Sequence, residues 1–297
     1  MRALGATLAA IALLSSGAAG GPASSRIAVV ASFYPLYEFA RRVGGDRVAA
    51  RTLTPAGAEP HDYELTPRDI IAVNRARVLI YNGAGFEPWV QTLLPQIAAR
   101  VVTVNASEGV QLARTGSGGA RGQIDPHVWL DPVLAQRQVA NILAGLARAD
   151  PAGQAVYEAN AAAFEARLGA LHERIQRTLA PCRKKVFVTS HAAFGYFAAR
   201  YGLTQVAIGG LAPQAEPSAA KIRDILKIVR QHDIRVIYYE TLVSPRVAAA
   251  IAREVGARTA VLNPIEGLTD AEQRRGADYL AVMDQNLRSL AQGLDCP

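Results

Sequence analysis

Residues 151–180, PAGQAVYEANAAAFEARLGALHERIQRTLA, constrain the fold more than any other stretch of the chain. They are rich in alanine, leucine, glutamate and arginine, all strong helix formers, and no proline follows Pro151. One helix over this span, rising 1.5 Å per residue, runs roughly 40 Å and suits a stiff backbone between two domains. On either side of it, strand and helix patterns alternate. Before it, residues 26–32, 47–54, 77–83 and 100–105 read as strands, and 34–45, 66–76 and 87–98 as helices. Glycines stop the first helix; Thr66 and Pro67 supply a cap and a first-turn proline for the second. Residues 133–149 form a further helix. After the long helix, 185–190, 204–209, 234–240 and 257–263 read as strands, with helices near 193–201, 217–231, 244–255 and 270–292. This rhythm predicts an α/β fold: two domains, each a parallel β-sheet flanked by helices, joined by a long rigid backbone helix. The predicted boundaries are 25–130 for the N-terminal domain, 131–180 for the helical linker and 181–297 for the C-terminal domain.

The chain has 297 residues, half of them apolar, which is enough for two cores. Its first 24 residues read as an export signal: Arg2, the apolar run ALGATLAAIALL (3–14), then small residues for cleavage in SSGAAGGPAS (15–24). That run is too short to span a bilayer comfortably, and no cysteine nearby offers a lipid anchor. The mature chain is therefore expected to be exported and soluble. In an oxidising compartment Cys182 and Cys296 form either a disulfide or two free thiols; the sequence leaves both open. The net charge is +7, but the basic residues (Arg41-Arg42, Arg183-Lys184-Lys185, Arg274-Arg275) are scattered among acids, a pattern that argues against nucleic-acid binding. The glycine-rich stretch TGSGGARGQ (115–123) reads as a mobile surface loop. It lacks the Lys-Ser/Thr and the following helix that a phosphate-binding loop needs.

In open α/β sheets ligands bind beyond the carboxyl ends of the strands. His61 follows the second strand and His191 the fifth. Glu240 ends the seventh, and Asn263 and Glu266 follow the eighth. His127 lies in IDPHVWLDP (124–132), where two Asp-Pro pairs stiffen the connector before the linker helices. Three of only five histidines thus fall where an interdomain cleft would be lined. Each alone reads as scaffold. Together they form a nitrogen-donor set of the kind Zn2+ prefers. His172 and His232 read as structural, Tyr63, Phe194 and Trp129 as packing, and Asp125 and Asp131 as caps and braces of the connector.

The blocks EPHDYELTPRDI (59–70), YNGAGFEPWV (81–90), DPHVWLDP (125–132), SHAAFGYFAARYGL (190–203), QAEPSAAKI (214–222), YYETLVSPR (238–246) and NPIEGLTDAE (263–272) occur in order. They resemble the ZnuA/TroA-like (cluster A-I) solute-binding proteins of ABC-type zinc and manganese importers, over nearly the whole mature chain. The resemblance implies two domains with metal in the cleft between them. It makes His61, His127, His191 and Glu266 the ligands of a transported Zn2+. His191, where manganese-type members carry a carboxylate, and Asn263, near where they carry an aspartate, both favour zinc. Many zinc-binding relatives have a histidine- and acid-rich loop; here a glycine-rich stretch takes its place. The partner implied is an ABC permease, with a metallochaperone as a further candidate, and the setting a periplasm in which the chain acts as a monomer.

Several alternatives stay open. Glu240 hydrogen-bonds a ligating imidazole from behind, pairs with a nearby arginine, or ligates, and Glu59 or water competes with Glu266 for the fourth position. Manganese or iron is the alternative cargo. A zinc hydrolase would need an open fourth position for water, and neither H-E-x-x-H nor G-x-S-x-G occurs, so no enzyme is expected. An adhesion protein holding structural zinc is a further rival. A stiff 40 Å helix makes a poor hinge, so cargo exchange is expected to involve small loop movements rather than wide domain closure.

Overall fold

A computed structural model describes residues 26–114, 122–214 and 216–297. The export-signal reading and most of the glycine-rich stretch lie outside them. Two sheets are present. The first contains β1 (Ile27–Ala31), β2 (Val48–Thr52), β3 (Val78–Tyr81) and β4 (Val102–Asn105). The second contains β5 (Val186–Thr189), β6 (Thr204–Ala207), β7 (Val236–Tyr239) and β8 (Arg258–Val261). All pairings are parallel, and the spatial orders, β2-β1-β3-β4 and β6-β5-β7-β8, are the same topology used twice. The winding reverses between β1 and β3 and again between β5 and β7, which opens a crevice at the carboxyl end of each sheet.

The helices before the second sheet are α1 (Tyr34–Gly44), α2 (Pro67–Arg75), α3 (Val90–Leu93), α4 (Pro132–Ala149) and α5 (Gln154–Leu179). Those within and after it are α6 (Gly195–Arg200), α7 (Ala219–Gln231), α8 (Arg246–Val255), α9 (Asp270–Arg274) and α10 (Tyr279–Gly293). The long helix forms as its composition predicts. After a 3-10 turn at Pro151–Gly153, α5 continues for 26 residues, about 39 Å at the usual rise. Its buried residues, Tyr157, Ala161, Phe164, Leu168, Leu171, Ile175 and Leu179, recur every three or four positions and form one stripe. Each large apolar side chain buried there contributes about 1.5–3 kcal/mol. The stripe belongs to a core that takes in Val29, Val78 and Val104 of the first sheet and Phe187, Val236 and Tyr238 of the second. Polar ties fix α5 to both halves: Asn160 donates to the Val43 carbonyl (3.0 Å), His172 Nδ1 meets the Tyr201 hydroxyl (3.0 Å), and Arg174 pairs with Asp284 (2.7 Å). The outer faces of the sheets have smaller cores of their own, under α2 and α3 and under α7 and α8.

Two helices differ from expectation. The span 87–98 is not one helix: α3 ends at Leu93 and a 3-10 turn, Leu94–Gln96, follows. Pro95 lacks the amide that an α-turn would use there. The span 270–292 is two helices. The chain turns at Gly276, whose φ of 66° is left-handed, and Asp278 caps α10 by accepting from Ala281 N–H. The caps at Thr66 and Thr269 are reciprocal, each paired with the acid three residues on, Asp69 and Glu272. Cys182 and Cys296 are joined as a disulfide that links the approach to β5 with the last residues of the chain. No helix of the described residues is long and apolar enough to cross a membrane.

Candidate metal centre

The four residues singled out in the sequence hang from different elements and meet. His61 lies in a 3-10 turn, Pro60–Asp62, in the loop after β2. His127 lies within the connector, just before a 3-10 turn (Val128–Leu130) that leads into α4, His191 stands two residues past β5, and Glu266 is in the loop after β8. One donor atom from each falls within 4.8 Å of the other three. Glu266 Oε1 is 3.3 Å from His61 Nε2, 3.3 Å from His127 Nε2 and 3.2 Å from His191 Nε2. His127 Nε2 is 3.4 Å from His61 Nε2 and 3.3 Å from His191 Nε2. A tetrahedron of bonds about 2.0–2.1 Å long has edges of about 3.3–3.4 Å, so these five separations match a zinc-sized site. His127, His191 and Glu266 are buried, and the His61 side chain is 10% exposed.

The backs of two imidazoles are braced by carboxylates. Asp125 Oδ1 accepts from both the backbone N–H and the Nδ1 of His127, at 3.0 and 2.8 Å. Glu240 Oε1 accepts from the His191 N–H at 3.1 Å, and its Oε2 lies 2.7 Å from His191 Nδ1. At His127, a proton held on Nδ1 by the carboxylate leaves the Nε2 lone pair free for a cation and raises its basicity; His191 Nδ1 lies close to Glu240 but outside hydrogen-bonding geometry. Glu240 therefore stands behind the ring, as one of its three readings had it. The orienting role of Asp125 was missed. Its signal was the D-P-H spacing, which places a carboxylate two residues ahead of a histidine on a stiff turn. Asp131 caps α4 through Val133 N–H and pairs with Arg200 at 2.7 Å, a brace as expected.

The charged groups at the site shift one another's protonation. Burial alone would raise the Glu266 pKa, but the neighbouring His191, His127 and His61 hold it well below the carboxylate range. Burial opposes a charged His191; Glu240 and Glu266 outweigh it and raise that pKa well above the imidazole value. His127 is raised in the same way, by Asp125 and Glu266 against burial. Glu59 is not one of the converging four. Its Oε1 accepts from His61 N–H and its Oε2 is buried without a partner. Burial and the nearby Glu266 charge push its pKa up to about 8.

The remaining candidates are packing or scaffold. Phe86 packs on His61 with ring centres 4.7 Å apart, and Trp129 lies 5.2 Å from the His127 ring. Tyr63 bonds to Asp69, and Phe194 is buried. Asn263 turns into its own loop, where Oδ1 accepts from Ile265 N–H, instead of facing the imidazoles. His172 bridges α5 to Tyr201, and His232 is exposed at the end of α7. A cavity of about 730 Å³ borders the site only through His61. Its walls include Ile70, Trp89 and Leu93, and it is far larger than a bare ion requires.

A family profile described as "Zinc-uptake complex component A periplasmic" matches residues 29–293. The chain belongs to the ZnuA family. This is a family of solute-binding proteins for zinc uptake, not of enzymes, and its members work with an ABC transporter permease. The "High-affinity zinc uptake system protein ZnuA" of Bacillus subtilis is 39% identical over 280 residues, covering 91% of this chain and 88% of that one. The zinc-binding lipoprotein AdcA of Streptococcus pneumoniae is 37% identical over 284 residues; the match covers 92% of this chain but 57% of AdcA. Among solved structures, the metal-dependent lipoprotein YcdH of Bacillus subtilis superposes with a TM-score of 0.80 at 41% identity, over 91% of this chain and 99% of that one. The Zn(II)-bound ZnuA-like domain of AdcA does so with a TM-score of 0.80 at 38% identity, over 91% and 100%. These ZnuA-family relatives are zinc-binding, and this chain holds a three-histidine, one-glutamate group suited to the same ion.

Proposed function

We propose that the chain is the zinc-capturing component of an ABC importer. It would bind one Zn2+ through His61, His127, His191 and Glu266 and hand it to a permease. The observation that carries this reading is the convergence of three imidazole nitrogens and one carboxylate oxygen, five of their six separations lying at 3.2–3.4 Å and all within 4.8 Å. Four protein donors leave no position for catalytic water, in keeping with capture rather than hydrolysis. Three nitrogen donors favour zinc over manganese, which prefers oxygen-rich, higher-coordinate sites. Removal of residues 1–24 on export, a periplasmic setting, a monomeric state, N- and C-terminal domains at 25–130 and 181–297 about the linker, and a metallochaperone as a second donor of zinc complete the proposal. Native mass spectrometry of the purified chain, offered zinc and manganese together, tests it. One zinc per chain with manganese excluded is expected; retention of manganese, or of no metal, contradicts it.

A further inference from the structure

The loop that carries Glu266 holds an uncommon backbone. Ile265, fully buried and β-branched, has a φ of 60°. L-residues rarely adopt that left-handed conformation, and branched ones least of all. The orientation of the Pro264–Ile265 peptide sets this angle, and both polar ends of that peptide are tied. Its carbonyl accepts from the indole N–H of Trp129 at 2.8 Å, and its N–H donates to Asn263 Oδ1 at 2.7 Å. Asn263 is itself held: its Nδ2 donates to Glu272, its N–H to Asn286 Oδ1, and its carbonyl accepts from Asn286 Nδ2. Trp129 is held by the Tyr279 hydroxyl, which donates to its carbonyl at 2.5 Å, and its ring packs beside Phe33 and Phe86.

Trp129 stands two residues past His127, so one indole joins the His127 connector to the Glu266 loop across 135 positions of sequence. Glu266 presents Oε1 to the imidazoles, while its Oε2 is buried without a hydrogen-bond partner. In this pose only Oε1 faces the three imidazoles, and a carboxylate kept in it offers one oxygen, which completes a four-coordinate site. One free to turn offers two, which larger ions with higher coordination numbers use. Resting on the ligand set proposed above, we propose that Trp129 is a positioning residue that, through the Pro264 carbonyl, keeps Glu266 to a single donor oxygen and so sets the preference for zinc over manganese.

Trp129→Phe removes the indole N–H and keeps an aromatic ring. Phe33→Leu opens a void against the same indole and leaves the Pro264 bond intact. Zinc and manganese affinities are measured by chelator competition for both variants and for Glu266→Gln, together with the visible spectrum of each protein loaded with Co2+. Trp129→Phe should lose about tenfold in zinc affinity, within the span of about 10–100 seen when groups orienting a ligand are removed. Its manganese affinity should fall less, so the ratio narrows, and the cobalt bands of a four-coordinate site should weaken. Phe33→Leu should keep the wild-type ratio and spectrum. An unchanged ratio and spectrum in Trp129→Phe, or an equal change in Phe33→Leu, overturns the proposal alone, provided Glu266→Gln binds zinc poorly. Wild-type zinc affinity in Glu266→Gln overturns both the proposal and the ligand assignment beneath it.

Discussion

His127 and His191 come from opposite halves of the molecule and are held alike, whereas His61, their neighbour at the same site, is held differently. Each of the first two is fully buried with a carboxylate behind it: Asp125 accepts from both the backbone N–H and the Nδ1 of His127, and Glu240 accepts from the His191 N–H while its other oxygen lies 2.7 Å from Nδ1 outside hydrogen-bonding geometry. Helix α6, which follows His191, also reaches the connector that carries His127. Tyr196 donates to the Asp125 carbonyl at 2.8 Å, and Arg200 pairs with Asp131 at 2.7 Å. His61 sits on a single 3-10 turn, partly exposed, between two cavities. Among the described residues nothing accepts from its Nδ1. Its loop meets the Glu266 loop through the Gly57 N–H bond to the Leu268 carbonyl. The centre therefore has a fixed part, His127, His191 and Glu266, and a closing part, His61. Cargo exchange is expected to move the 55–63 loop rather than bend α5.

The contrast can be broken or sharpened by experiment. The largest effect is expected from His127→Ala and His191→Ala, which remove a donor from the fixed part. Each should lower zinc affinity by more than the roughly 100-fold upper range for orienting groups. A near-native affinity in either would break the comparison. His61→Ala should weaken binding less, because three braced donors remain, and should speed zinc dissociation in stopped-flow chelator exchange. A loss equal to that of His191→Ala would mean that the closing ligand is as fixed as the others. Asp125→Asn and Glu240→Gln keep the ligands but remove the charge behind them, so each should cost about 10–100-fold.

Protonation gives a smaller, graded effect. Both buried imidazoles have raised pKa values, because Asp125, Glu240 and Glu266 outweigh the penalty of burial. Zinc must displace those protons, so affinity falls as pH decreases, and the fall begins above the ordinary imidazole pKa of about 6.5. Titration in weak buffer at pH 7 should show proton release on zinc binding; no release would mean the rings are already neutral. The smallest effect on zinc is expected from Cys182→Ser with Cys296→Ser. Loss of this link should cost about 2–5 kcal/mol of stability, read by chemical denaturation, and leave zinc affinity unchanged.

The sheets were legible because their strands are short apolar runs between turn residues, and α5 because its composition admits little else. Two helix boundaries were not. Pro95 and Gly276 each act on the backbone locally, and an apolar period runs on across both. The four converging residues were legible from their places after strands and from the ordered blocks around them. Asp125 was read as a brace of the chain alone, since the ring it orients becomes visible only once His127 has a direction. The left-handed Ile265 could not be foreseen at all. A branched residue is the wrong residue for that angle, and what holds it, Trp129, lies 136 positions away in sequence.

X-ray absorption at the zinc edge of the loaded protein tests the central claim most directly. The expected result is one zinc in a single shell of four light atoms at about 2.0–2.1 Å, with the scattering pattern of three imidazoles and one carboxylate. A shell of six oxygens, or fewer than three imidazoles, would contradict it.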